Sequence, residues 1–75
     1  MINKTKKYLK TLSKAEIKKL IEHPDLTEIE KWLIYYCYAE KRMVVNTCRK
    51  LAISEAQYRI IQQMALLKLY YIYLL

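Results

Sequence analysis

The pattern of apolar and polar positions along the chain predicts four helices and no strands. Apolar residues recur at intervals of three and four, the spacing that places side chains on one face of an α-helix. The chain has no glycine and a single proline, Pro24, so sheet hairpins lack their usual turn residues. We therefore expect an all-α protein. The four predicted helices run from about Lys14 to His23, from Glu28 to Glu40, from Val44 to Leu51, and from Glu55 into the C-terminal tail.

Three residue pairs have the spacing of a capping box, in which a serine or threonine and a glutamate or glutamine satisfy each other's free backbone N–H groups. Each pair marks the start of a helix. The pairs are Ser13 with Glu16, Thr27 with Glu30, and Ser54 with Gln57. The last pair leaves residues 52–54 as a short connection, which is either the tight turn of a DNA-binding helix-turn-helix or a joint between two packing helices.

The helix that begins at Glu55 is polar along one face and apolar along the other. Arginine and glutamine can each form two hydrogen bonds with the edge of guanine or adenine in the major groove, so the polar face suits a recognition helix. Any solvated surface helix shows such a face, and periodicity alone does not separate the two. The polar face holds Glu55, Arg59, Gln62 and Gln63, and the apolar face holds Tyr58, Ile61, Ala65, Leu69 and Ile72.

The net charge of +7 is unevenly distributed. Residues 1–21 carry +6, residues 22–40 carry −4, and residues 41–75 carry +5. Basic clusters at both ends favour a polyanionic partner, since neutralising phosphates releases counterions. Surface lysines that only keep a protein soluble would give the same net charges. Charge therefore leaves nucleic acid and an anionic membrane surface both open.

The C-terminal stretch MALLKLYYIYLL, residues 64–75, is apolar on all sides except for Lys68. A transmembrane helix needs roughly 18 apolar residues, so this stretch is too short to span a membrane. It must pack under the N-terminal helix or against another chain, and a membrane-interface position is less favoured because its polar face is weak. We expect a homodimer, which would suit a palindromic site with half-sites ~34 Å apart. The expected interface residues are Leu69, Tyr70, Ile72 and Tyr73.

Catalytic and metal chemistry find little support. The lone histidine, His23, stands beside Pro24 at a helix end, where a surface residue is commoner than a catalytic base. A chain without glycine has no phosphate-binding glycine loop. Cys37 and Cys48 lie in apolar helical patterns and, with one histidine, fall short of the about four ligands of a structural zinc site. We expect reduced thiols in a cytoplasmic protein, with no enzyme activity, no cofactor and no metal.

Residues 26–71 resemble a known group of DNA-binding proteins. The matching positions are Leu26, Thr27 and Glu30 at a helix start, Cys48, Leu51, Ile53 and Ser54 in a small, apolar, apolar, serine pattern, and YR at 58–59 followed by ALLKL at 65–69. This segment resembles the helix-turn-helix of sigma-factor region 4 and, more closely, the ArpU-like and RinA-like late transcription activators of phages and prophages in Gram-positive bacteria.

A chain of 75 residues makes one small domain, residues 1–75, in which we expect a basic segment, 1–25, to precede a helix-turn-helix core, 26–75. The resemblance assigns roles to residues of that core. It implies that Leu51, Ile53 and Tyr58 are core residues, that Cys48 lies where two helices cross, and that Ser54 caps the recognition helix. Ala52 departs from the family's glycine at a turn that often needs a positive φ, where a Cβ costs ~1 kcal/mol. The predicted base contacts are Gln57, Arg59 and Gln62, and the predicted phosphate contacts are Lys41, Arg42, Arg49 and Lys50.

Two functions follow as hypotheses. The first is a sequence-specific, double-stranded-DNA-binding transcription regulator of phage or prophage type, acting in the cytoplasm of a bacterial host. The second is a small phage-encoded interaction protein that binds a host protein, such as RNA polymerase or a defence nuclease, through the apolar, tyrosine-rich C-terminal helix.

Overall fold

A computed structural model describes residues 1–75 and contains helices without strands. It confirms the all-α prediction but has five α-helices where the sequence pattern predicted four. The helices are α1 (Ile2–Lys10), α2 (Lys14–Leu20), α3 (Glu28–Ile34), α4 (Val44–Leu51) and α5 (Glu55–Leu69). Helices α3 and α5 each continue directly into a π-helical turn, at Tyr35–Ala39 and Tyr70–Leu74.

Helix α1 is the element that the prediction missed. It begins at a lysine-rich segment without a side-chain cap, so the usual start signal is absent. Thr5 and Leu9, one turn apart, are fully buried, and the Thr5 hydroxyl donates to the Met1 carbonyl oxygen at 3.0 Å. Helix α1 packs against α5 and its π-helical turn. The N-terminal segment is therefore part of the core and covers the apolar tail.

All three predicted capping boxes are present and define the starts of α2, α3 and α5. At α5, the Ser54 hydroxyl accepts from the Gln57 N–H at 3.1 Å, and the Gln57 side-chain oxygen accepts from the Ser54 N–H at 2.9 Å. Helix α2 ends at Leu20, three residues before the predicted end. Its end is early because His23 precedes a proline, which disfavours helical backbone at that position.

Helix α4 ends in a left-handed residue that defines its short connection to α5. Ala52 has φ 56° and ψ 47°. The N–H groups of Ala52 and Ile53 donate to the carbonyl oxygens of Arg49 and Cys48, at 3.3 and 3.0 Å, in the pattern of a Schellman motif. Position 52 has the expected positive φ. Alanine adopts this conformation here, although glycine is favoured over alanine in it by ~1 kcal/mol.

The core forms where α5 packs against α1, α3 and α4. Tyr58 and Cys48 are buried as predicted, whereas Leu51 and Ile53 are half-buried at the edge of the core. The buried apolar residues are Leu9, Ile17, Leu20, Ile21, Leu26, Leu33, Ile34, Cys48, Tyr58, Ala65, Leu66 and Leu69.

One buried ion pair connects α5 to α3. Glu30 is 3% exposed, and its carboxylate accepts from Lys68 Nζ at 2.8 Å and from the Thr27 N–H at 2.9 Å. Lys68 Nζ also donates to the Asp25 carbonyl oxygen at 3.0 Å. Burial acts to raise the pKa of Glu30, but the hydrogen bonds from Lys68 and Thr27 outweigh it and lower that pKa. The one charged residue of the tail thus holds α5 in a defined rotation against α3.

Replacement of Ala52 by glycine should raise the free energy of unfolding, because glycine adopts the left-handed conformation without a Cβ clash. We expect a gain of about 0.5–1 kcal/mol, or roughly 2–8 °C in melting temperature. Ala56→Gly is the matched control, because Ala56 has helical backbone and glycine should lower stability there. Thermal unfolding followed by circular dichroism checks both variants, and equal losses from the two would contradict a left-handed Ala52.

Candidate nucleic-acid interface

The three predicted base-contact residues lie in different environments on α5. Arg59 is exposed and forms no ion pair. Gln57 is also exposed, but the capping box holds its side-chain oxygen, so only its amide N–H groups are free to donate. Gln62 is half-buried. Two of the three side chains are therefore accessible to a ligand.

The structure corrects the predicted polar face at one position, Gln62. At 100° per residue its direction falls between those of Tyr58 and Leu66, which are both buried, so the side chain lies on the inner side of the helix. Gln63 is exposed and takes the place beside Arg59 that the prediction gave to Gln62.

The four predicted phosphate contacts are exposed and fall into two groups. Arg49 and Lys50 lie in the last turn of α4, next to the connection that leads to α5. Lys41 and Arg42 lie between the π-helical turn and α4, where Lys41 has a φ of 54°. Arg42 Nε donates to the Glu40 carboxylate at 2.6 Å, so this guanidinium is already partly neutralised. Arg49, Lys50 and Lys41 form no ion pair.

Three aromatic residues at the end of α3 form a cluster that we call the aromatic platform: Trp32, Tyr35 and Tyr36. Trp32 stacks on Tyr36 with ring centroids 5.8 Å apart and ring planes 28° apart. Tyr35 meets Trp32 edge-on, with a centroid distance of 5.6 Å. Trp32 is 42% exposed, whereas the two tyrosines are half-buried. The platform therefore presents one aromatic ring to solvent and supports it with two others.

Cations from three parts of the chain surround the platform. Lys14 Nζ lies 5.7 Å from the centroid of Tyr35, while the Arg42 guanidinium and Lys50 Nζ lie 5.5 and 6.0 Å from that of Tyr36. The hydrogen bond from Arg42 lowers the pKa of the Glu40 carboxyl, and the charges of Lys14 and Lys50 lower it further. These three cations and one carboxylate leave two positive charges in excess beside the aromatic rings.

The sequence pattern did not identify the platform. The π-helical turn at 35–39 has a wider turn than an α-helix and changes the directions of the side chains that follow Ile34. The aromatic spacing of three and four from Trp32 was a usable signal, since such residues are neighbours on a helix surface. The converging cations had no such signal, because they are distant in sequence.

The predicted interface residues in the tail are mostly covered by the chain itself. Leu69 is 2% exposed in the core, so the prediction that it contacts a partner is wrong. The Tyr73 hydroxyl donates to the Leu20 carbonyl oxygen at 2.8 Å. Tyr70 and Ile72 are half-buried. Helix α1, which the prediction missed, packs against the tail and covers one side of it, although Tyr73 is 42% exposed.

A different set of apolar residues faces outward from α5, and we call it the apolar strip: Ile60, Met64, Leu67 and Tyr71. Ile60, Met64 and Tyr71 are 61%, 51% and 53% exposed, and Leu67 is partly exposed. Their intervals of four, three and four residues are the spacing of a coiled-coil seam. Periodicity could not identify this strip, because the tail is apolar on both sides and only the packing of α1 decides which side is covered.

The two thiols lie in the protein interior. Cys37 Sγ is 2.9 Å from the Tyr58 hydroxyl oxygen, and Cys48 is buried. Burial raises the pKa of both thiols, so both are protonated near neutral pH and neither is an activated nucleophile. No group of three or more histidine, cysteine, aspartate or glutamate side chains is arranged to hold a metal ion. None of the helices combines the length and the apolar character needed to cross a membrane.

Comparisons with known proteins identify no relative of this chain. No family model matches the chain, and no curated protein or solved structure is significantly similar to it. The resemblance of residues 26–71 to the ArpU-like and RinA-like regulators stays a prediction that rests on the residues quoted for it.

Proposed function

We propose that this protein is a sequence-specific DNA-binding transcription regulator of phage or prophage type, which inserts the first turns of α5 into the major groove of double-stranded DNA. The observation that carries the proposal is the connection between α4 and α5. The left-handed Ala52 ends α4 and the Ser54 capping box starts α5, so three residues separate the helices. A short turn of this kind is what a DNA-binding helix-turn-helix uses to present its second helix.

The exposed side chains on the first turns of α5 support this function. Arg59 and Gln63 follow each other at an interval of one turn, and both are exposed. Arginine pairs with guanine and glutamine with adenine through two hydrogen bonds each. Ala56, one turn before Ile60, is exposed and small, so it permits a close approach to a base edge or a thymine methyl group.

The charge around the turn supports binding to the DNA backbone. Arg49 and Lys50 lie just before the turn, and neither forms an ion pair. The free N–H groups and positive dipole end of α5 lie just after it and also favour phosphate. Phosphate contacts would set the register of α5, while Arg59, Gln63 and the amide of Gln57 would select the sequence.

Arg59→Ala should remove most of the preference for a specific duplex. The probe is double-stranded DNA from the region upstream of the protein's own gene, compared with a scrambled duplex of equal length in electrophoretic shifts. Because one bidentate contact is lost, the affinity for the upstream duplex divided by that for the scrambled duplex should fall roughly 5- to 150-fold. Arg49→Ala should instead weaken both duplexes alike and reduce the salt dependence by about one charge.

Lys7→Ala is the matched control, because Lys7 is an exposed cation on α1, away from the turn. It should leave the ratio of the affinities unchanged. The proposed function would be contradicted if Arg59→Ala did not change this ratio, or if binding did not respond to salt.

We further propose that the regulator is a homodimer joined through the apolar strip rather than through the tail residues. The strip has the seam spacing of paired helices, and Lys68, the nearest lysine, is neutralised by Glu30, so a second copy meets little like charge. In an antiparallel pair centred on Leu67, the first turns of the two α5 helices would be ~30 Å apart at 1.5 Å per residue. That separation is close to the ~34 Å between successive major-groove half-sites.

The double substitution Ile60→Ser, Met64→Ser should convert a dimer into a monomer, because it removes two of the four apolar side chains of the strip. Light scattering and sedimentation measure the molar mass, and circular dichroism shows that the variant keeps its helices. Val45→Ser, at a similarly exposed apolar residue on α4, is the matched control and should leave the dimer intact. A chain that is monomeric at every concentration, or a dimer that survives the double substitution, would contradict this interface.

The second candidate function, binding of a host protein such as RNA polymerase or a defence nuclease, is favoured by the same apolar strip. An exposed apolar stripe on a helix is suited to docking against a groove of another protein. This function predicts a monomeric chain with no preference among duplexes. It also predicts a stoichiometric complex that survives nuclease treatment, is lost with Ile60→Ser, Met64→Ser and is retained with Arg59→Ala.

A further inference from the structure

Beyond the binding of duplex DNA, we infer that the aromatic platform is a second nucleic-acid site, which binds unpaired bases of single-stranded DNA or RNA by stacking them on Trp32. The proposal combines two features of the structure. One is an exposed aromatic ring held in place by two others, and the other is a group of cations around the same rings. Proteins that bind single strands without strong sequence preference combine these two features.

Trp32 has the geometry of a stacking surface. Tyr36 lies nearly parallel to it on one side, and Tyr35 contacts it edge-on at an interplanar angle of 83°. A base placed on the open side of the indole would extend an existing stack of two rings. The rotamer of the indole is restricted before binding because two neighbours contact it, and this reduces the entropy that a ligand must remove.

The platform has an open ring that internal packing does not explain. Lys14, Arg42 and Lys50 lie over the two tyrosines, and no cation is positioned over Trp32. The indole instead borders a surface groove together with Lys18 and Lys31. Cation–π contacts within the chain therefore use the supporting rings and leave the exposed ring free.

The charges around the platform divide the site into two parts. The groove beside Trp32 has Glu22 and Glu28 as well as Lys18 and Lys31, so it has no excess charge. The positive excess lies on the other side, over the tyrosines, where Glu40 is the one carboxylate among three cations. A strand could therefore place a base on the indole and its phosphates toward Lys14 and Lys50, whose charges no carboxylate pairs directly.

Trp32 is the only tryptophan of the chain, so its intrinsic fluorescence reports on the platform directly. The full chain is titrated with oligothymidine and with oligouridine of roughly 12 nucleotides, a length within the site sizes of single-strand-binding proteins. We expect saturable quenching by both strands, and the two arms show whether DNA or RNA binds more tightly. A duplex of the same length and polyglutamate should quench far less, because neither offers an unpaired base.

Variants then separate stacking from charge, with the affinity measured by the anisotropy of a labelled oligothymidine. Trp32→Ala should weaken binding by about tenfold or more, whereas Trp32→Phe should retain most of the affinity. Lys14→Gln with Lys50→Gln should weaken binding and reduce its salt dependence. Tyr73→Ala removes an aromatic ring with the same 42% exposure as Trp32, in the π-helical turn after α5, and is the matched control, with no change expected.

Arg59→Ala keeps this test apart from the proposed duplex function, because it should reduce duplex preference and leave single-strand affinity unchanged. Absence of quenching by either strand would overturn the inference. So would equal single-strand affinities for Trp32→Ala and Tyr73→Ala. Quenching by polyglutamate as strong as that by oligothymidine would also overturn it, since the site would then recognise an acidic peptide.

Discussion

Helix α5 is apolar on most of its sides, and the rest of the fold is arranged to cover it. Helix α1 packs along it, α3 is connected to it by the buried Lys68–Glu30 pair, and α4 meets it across the turn at Ala52. The ion pair is costly to bury and makes a misrotated α5 unfavourable, because any other rotation leaves the Glu30 carboxylate buried without its cation. The side chains that α5 presents to solvent follow from this packing.

Two local backbone features decide which functional side chains are exposed. The left-handed Ala52 turns the chain sharply, so α5 starts at Glu55 with its amino end, Arg59 and the cations of α4 close together. The π-helical turn after Ile34 widens α3 and leads into a second left-handed residue, Lys41. That path brings Arg42 over the aromatic platform. Both features have a cost in local conformation and both lie beside a candidate site, as strained backbone often does.

The sequence predicted what depends on neighbouring residues and missed what depends on packing between distant ones. Capping boxes located the starts of α2, α3 and α5, and the positive φ at position 52 was expected from the glycine that the resembled family has there. The rotation of α5 did not follow, because Gln62 and Gln63 are both polar, and only the packing of the helix makes Gln62 half-buried and Gln63 exposed. Helix α1 lacked a cap, and without it the tail could not be recognised as covered.

Two nucleic-acid surfaces are proposed for this chain, one on α4 and α5 and one on the aromatic platform, with Lys50 of α4 beside both. A backbone amide NMR titration of the same isotopically labelled protein, once with upstream duplex DNA and once with oligothymidine, distinguishes them. Duplex should shift the amide signals of residues 49–63, while the single strand should shift those around Trp32, Tyr36 and Lys14. A single shared set of shifted signals, or shifts confined to residues 69–75, would contradict the proposal of two surfaces.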